Sequence, residues 1–134
     1  MASIFTRILD GELPGRFVYR DDRCFAILTI APLRPGHTLV IPNEEIDHWI
    51  DVPEDLSAHL FPVAQKISKA IQESFQPRKV GLVIAGIEVP HTHLHLIPIH
   101  ELRDLNFENQ DKNPDPAMMD QAAETLRKAI GWQP

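Results

Sequence analysis

The chain has 134 residues, 43% of them hydrophobic and 24% charged, which suits one soluble globular domain able to bury a core without staples. Its 13 basic residues stand against 19 acidic ones, a formal charge of -6, so neither duplex nucleic acid nor an anionic membrane is an expected partner. Lone Cys24 leaves no intrachain disulfide, no run is apolar enough to span a bilayer, and residues 1–7 lack a signal-peptide pattern. The expected compartment is therefore the cytoplasm.

A short helix is expected over residues 3–10, closed by Gly11-Glu12-Leu13-Pro14-Gly15. Residues 17–19 and 25–30 then read as a hairpin around the polar turn Arg20-Asp21-Asp22-Arg23. Cys24, beside Phe25 in an apolar run, reads as a strand residue and not as a nucleophile. Two prolines break the chain over residues 31–36, and residues 37–42 form a third strand that Pro42 stops. His48-Trp49 falls in a short helix, where the pair would pack against the sheet.

Leu56, Leu60, Val63, Ile67, Ile71 and Phe75 recur every three or four residues, the stripe of an amphipathic helix over residues 53–75. Pro62 should bend or split that helix near Leu60, because it lacks the amide hydrogen and crowds the preceding turn. His59 falls on the polar side and would be solvated. Residues 80–85 read as a fourth strand, 86–90 as a loop and 91–98 as a fifth strand. A solvated acidic stretch then leads to a last helix, capped by Asp115, with Pro116 at its first position and Gly131 as its stop. Hairpins with one long helix between strands, lacking regular β-α alternation, predict an α+β fold with helices on one side of an antiparallel sheet. The 6 glycines form no phosphate-binding loop of common spacing.

His91, His93 and His95 alternate strictly, so on a strand their imidazoles would line one face and converge. Such a cluster suits a metal with an open coordination position, or a nucleophilic imidazole assisted by its neighbours. Spacing alone leaves both open. His37, which begins a strand beside Leu39 and Ile41, could supply a fourth ring.

Pro35-Gly36-His37-Thr38-Leu39-Val40-Ile41-Pro42, together with His91-x-His93-x-His95-Leu96-Ile97-Pro98, resembles the two signature segments of the histidine triad (HIT) superfamily. The run from Ile4 to Asp22 is similar to the start of the same proteins. The resemblance implies a single domain over residues 1–134, with residues 100–134 a C-terminal extension and helix around a five-stranded antiparallel sheet. It also implies a homodimer, no cofactor, no metal in the chemistry, and hydrolysis or transfer at the α-phosphate of a nucleotide conjugate. Matched by position, His93 would attack phosphorus, while His91, His95 and His37 would orient it and hold phosphate oxygens; Ile27 and Ile30 would flank the base.

Several positions depart from the family pattern. Where many members carry Cys-x-x-Cys and a further histidine that form a structural zinc site, this chain has Ser3, Thr6 and Glu45, a poor set for a soft metal. Thr29 replaces the acidic residue that grips both ribose hydroxyls, leaving one hydroxyl there. Glu88 stands where the family commonly has serine or threonine, and it reads either as a solvated loop residue or as a general acid or ligand contact. A non-catalytic phosphate-binding protein on the same scaffold is the alternative reading.

Overall fold

The computed structural model describes residues 2–134 and places five strands in one antiparallel sheet. The first helix, α1 (Ile4–Leu9), precedes β1 (Phe17–Arg20), β2 (Cys24–Leu28) and β3 (Thr38–Pro42). The long helix α2 (Glu54–Phe75) leads to β4 (Lys79–Val83) and β5 (Leu94–Ile99), and α3 (Pro116–Ile130) follows short 3-10 turns. Strand order is β1-β2-β3-β5-β4, so β5 enters between β3 and β4, and β4 stands at an edge.

Alternation divides the sheet into two faces. Cys24, Ala26, Leu28, Val40, Leu94 and Leu96 meet the apolar stripes of α2 and α3, including Leu56, Ile67, Ile71 and Leu126. Burying each of these large aliphatic side chains contributes roughly 1.5–3 kcal/mol. Phe25, Ile27, Leu39 and Ile41 occupy the opposite face, beneath Phe5 and Ile8 of α1. Helices therefore cover both faces, not one, because α1 carries its own apolar pair.

Capping agrees with the sequence at both ends of α3: the Asp115 carboxylate accepts from the Ala117 amide, and Gly131 takes the left-handed conformation at φ 80. Pro62, in contrast, does not split α2, which runs unbroken through it. The proline sits on the exposed outer side, where water can satisfy the carbonyl it leaves free.

His91 and His93 lie outside β5, which begins at Leu94. The last ladder pair with β3 is Val40↔Leu94; continuing it would bring Thr92 opposite Pro42, which has no amide hydrogen. The chain departs instead, and both the amide and the hydroxyl of Thr92 donate to the Ile46 carbonyl, at 2.7 and 2.6 Å. Thr29 and Ile30, expected at the end of the second strand, likewise fall beyond it. His59 is not simply solvated: its Nε2 lies 2.8 Å from the Asp21 carboxylate, which also accepts the Arg23 and Cys24 amides at the hairpin tip. Half-exposed Trp49 lines an apolar hollow of about 170 Å³ with Leu60, Phe61 and Ile84, on the α2 side of the sheet.

Candidate active site

His37, His93 and His95 gather on the α1 face of the sheet. Register places Ile27, Leu39 and His95 in one row across β2, β3 and β5. The His95 ring stands 4.9 Å from that of His93 and 5.2 Å from that of His37, centroid to centroid. Phe5 meets the His93 ring edge-on at 4.9 Å, and Phe107 meets the His95 ring in the same way at 4.9 Å. The row is thus bracketed by two aromatics that the sequence reading did not single out. Phe5 was recoverable from its pairing with Ile8 on one side of α1, whereas Phe107, in a polar stretch, carried no periodic signal. Its segment is tied down where Gln110 Nε2 donates to the Ala31 carbonyl and the Asp111 amide to that of Pro32, at 2.8 and 2.9 Å.

Hydrogen bonding assigns the ring protons. His37 Nδ1 accepts the Leu33 amide at 3.1 Å, so its Nε2 carries the proton and donates to His95 Nδ1 at 2.9 Å. His95 must then carry its own proton on Nε2. His93 Nδ1 lies 2.7 Å from the His91 carbonyl, an acceptor, so this nitrogen is protonated and the His93 Nε2 lone pair is free. Neither His93 Nε2 nor His95 Nε2 has a hydrogen-bond partner among the described residues. Among the described residues the sole buried side-chain polar atom without one is Asn43 Oδ1, so both nitrogens reach solvent.

Burial, reinforced by the neighbouring imidazoles, pushes His37 down to about 3 and His95 down to about 4. His91 and His93 are also lowered, again chiefly by burial, although Glu88 acts on His93 in the opposite sense. Burial thus favours the neutral form of all four rings. One solvent-facing lone pair beside one solvent-facing N–H can attack an electrophile while donating to its oxygen.

The three alternating histidines do not converge as a strand would require. His91 turns away, its Nε2 donating to the Pro42 carbonyl at 2.7 Å and its Nδ1 2.7 Å from the Ser3 hydroxyl. With both its nitrogens so engaged, a site built on all three rings has no geometric support. Thr29 is buried, and its hydroxyl accepts the Ala31 amide at 3.2 Å. Ile27 is buried beneath α1, Ile30 is 73% exposed, and Glu88 is exposed in the loop before His91. His100, Glu101 and Arg103 are exposed and bond locally.

Ser3, Thr6 and Glu45 come together beside His91. The Glu45 carboxylate accepts the Thr6 hydroxyl at 2.6 Å and the Ser3 amide, and these bonds, the Thr6 hydroxyl first, hold it below the usual range. Two hydroxyls and one carboxylate, already satisfied by each other, do not fit the soft tetrahedral set of a structural zinc. Asp21, Cys24 and His59 bring ligand atoms within 4.8 Å of one another, but Cys24 is fully buried and burial pushes its thiol up to about 12.

An α+β sheet carrying a row of neutral imidazoles with one outward lone pair defines a histidine-cluster protein. The HIT domain family model matches residues 10–102, and the chain belongs to that family. It is 36% identical over 102 residues to the protein named hit of Bacillus subtilis, covering 71% of this chain and 69% of that one. The adenosine 5'-monophosphoramidase of Saccharomyces cerevisiae is 32% identical over 98 residues, covering 72% and 62%. A Zn-bound histidine triad family protein from Mycobacterium smegmatis superposes with a TM-score of 0.83 at 30% identity, over 98% of this chain and 94% of that one.

Proposed function

We propose that this protein hydrolyses or transfers nucleotide conjugates, nucleoside phosphoramidates or dinucleoside polyphosphates, at the α-phosphate through a covalent intermediate on His93. The observation that carries this reading is the free Nε2 of His93, aimed by the bond from its Nδ1 to the His91 carbonyl. In the first step His93 Nε2 bonds to phosphorus, the bond from phosphorus to the leaving nitrogen or oxygen breaks, and the leaving atom takes up a proton from solvent. The His91 carbonyl stabilises the charge that develops on the ring. His95 Nε2–H, polarised by His37, donates to a phosphate oxygen. Water then attacks phosphorus and gives up a proton to solvent, the bond to His93 breaks with its electron pair returning to Nε2, and the nucleotide leaves.

Thr29 and Glu88 favour the second reading, a phosphate-binding protein without turnover, because one hydroxyl grips a ribose diol poorly and a carboxylate repels phosphate. Intact-protein mass spectrometry after incubation with adenylated and guanylated amides and polyphosphates separates the two. The expected result is a nucleotide adduct on the wild type that His93→Ala abolishes. Ligand binding without adduct or turnover across that panel would establish the second reading.

A homodimer is also proposed. Strand β4 leaves a sheet edge unpaired, Leu82 on it is 41% exposed, and Trp49 and Phe61 nearby are 50% and 56% exposed. Among the described residues no helix is long and apolar enough to cross a membrane, and the single buried thiol suits a reducing compartment such as the cytoplasm.

A further inference from the structure

A continuous path of hydrogen bonds runs from the surface to His93. Glu45 Oε1 accepts the Ser3 amide and the Thr6 hydroxyl, which fixes the first turn of α1 against the chain just beyond β3. Ser3 caps α1, its Oγ accepting the Thr6 amide at 3.1 Å. That Oγ also lies 2.7 Å from His91 Nδ1. Because His91 Nε2 must donate to the Pro42 carbonyl, Nδ1 holds a lone pair and the Ser3 hydroxyl is its donor. The His91 ring, fully buried, is thus held at both nitrogens, and the carbonyl of the same residue accepts His93 Nδ1–H.

We propose that Ser3 and Glu45 are positioning residues that fix the orientation of His93 through His91, a hydrogen-bonded brace standing where a metal would otherwise join these segments. The proposal reads a role into the disagreement between this donor set and zinc. Thr6 holds the carboxylate, the carboxylate holds the amide of Ser3, and the hydroxyl of Ser3 holds the His91 ring at Nδ1, while the Pro42 carbonyl sets the tautomer. Without that donor the His91 ring is held at Nε2 alone, its Nδ1 lone pair is buried without a partner, and the backbone acceptor of His93 loses part of its anchor. The kinetic consequence rests on His93 being the nucleophile; the change at the imidazole nitrogens does not.

Long-range nitrogen-proton correlation spectra of the imidazoles, recorded on the full chain, test this directly. In wild type, His91 is expected as the Nε2–H form and His93 as the Nδ1–H form. Ser3→Ala should leave His91 as the Nε2–H form, move its Nδ1 signal toward that of an unbonded lone pair, shift the His93 nitrogens, and slow adduct formation about ten-fold, the loss of one buried hydrogen bond, with KM little changed. Ser3→Thr, which keeps the hydroxyl, should restore both readouts. Glu45→Gln, an exposed change compatible with folding, should move the same signals by a smaller amount. Unchanged His91 Nδ1 and His93 nitrogen signals in both Ser3→Ala and Glu45→Gln would overturn the proposal, whatever the rate does. Shifted nitrogen signals in a chain that forms no adduct would uphold it while removing the covalent reading of His93.

Discussion

Acidification should unfold this protein through the imidazoles it buries uncharged. His37 is pushed down to about 3 by burial and by the His95 and His93 rings beside it, and His95 to about 4 by burial and His93, from an ordinary value of 6.5. In the unfolded chain both rings take up protons as the pH falls through about 6.5, while in the folded chain they stay neutral until about 4 and 3. The folded values are the lower ones, so the unfolded state binds more protons throughout this window and stability is lost as the pH falls. Each ring contributes a slope of about 1.4 kcal/mol per pH unit, and together they remove about 5 kcal/mol between about pH 7 and 4.5. Small domains commonly have only about 5–15 kcal/mol in total. Guanidinium unfolding followed by circular dichroism at several pH values, with protein concentration and ionic strength fixed, measures the slope. His37→Gln, which removes one titrating ring, should reduce that slope by about 1.4 kcal/mol per pH unit. Wild-type stability that stays level from about pH 7 to 5 would refute the reasoning, since the rings would then be hydrated or charged in the native state.

Thr29→Asp should restore a two-acceptor grip and raise the preference for a ribonucleotide conjugate over its 2'-deoxy counterpart by about ten-fold, read as the ratio of kcat/KM values; an unchanged ratio would show that residue 29 does not face the sugar. Phe61→Glu, a charge placed among half-exposed apolar side chains, should shift a dimer toward monomer in sedimentation velocity without lowering monomer secondary structure, and an unaltered sedimentation profile would move the interface elsewhere.

The helices and strands of the fold were legible because their signals are local, whereas the placing of α1 on the second face was not. The stripe Leu56, Leu60, Val63, Ile67 and Ile71 buries as its spacing requires, and Asp115, Pro116 and Gly131 delimit α3 through their own backbone chemistry. The candidate site was legible as a cluster of histidines but not as a geometry. Strict alternation over residues 91–95 carries one face only while the chain remains in the ladder, and here Pro42 in the neighbouring strand ends it. A proline 49 positions away in sequence therefore decides where His91 points, through the carbonyl it leaves for that ring. Pro62 misled for the reverse reason, because its local rule is strong but its exposed position makes the missing hydrogen bond cheap.

The roles of the two outward nitrogens follow from backbone groups that no motif encodes. One chain of donors starts at the Leu33 amide, passes through His37, and ends with a proton on His95 Nε2. Another ends at the His91 carbonyl, which holds the His93 proton on Nδ1 and leaves the lone pair on Nε2. The two run with opposite polarity and finish on adjacent rings, so the site presents a donor beside a lone pair. Reversing either chain would place two donors or two lone pairs side by side, and the proposed attack at phosphorus would lose one half. The turn over residues 33–37 and the departure of residues 91–93 from the sheet are thus as much a part of the chemistry as the histidines, since they set which nitrogen of each ring can act.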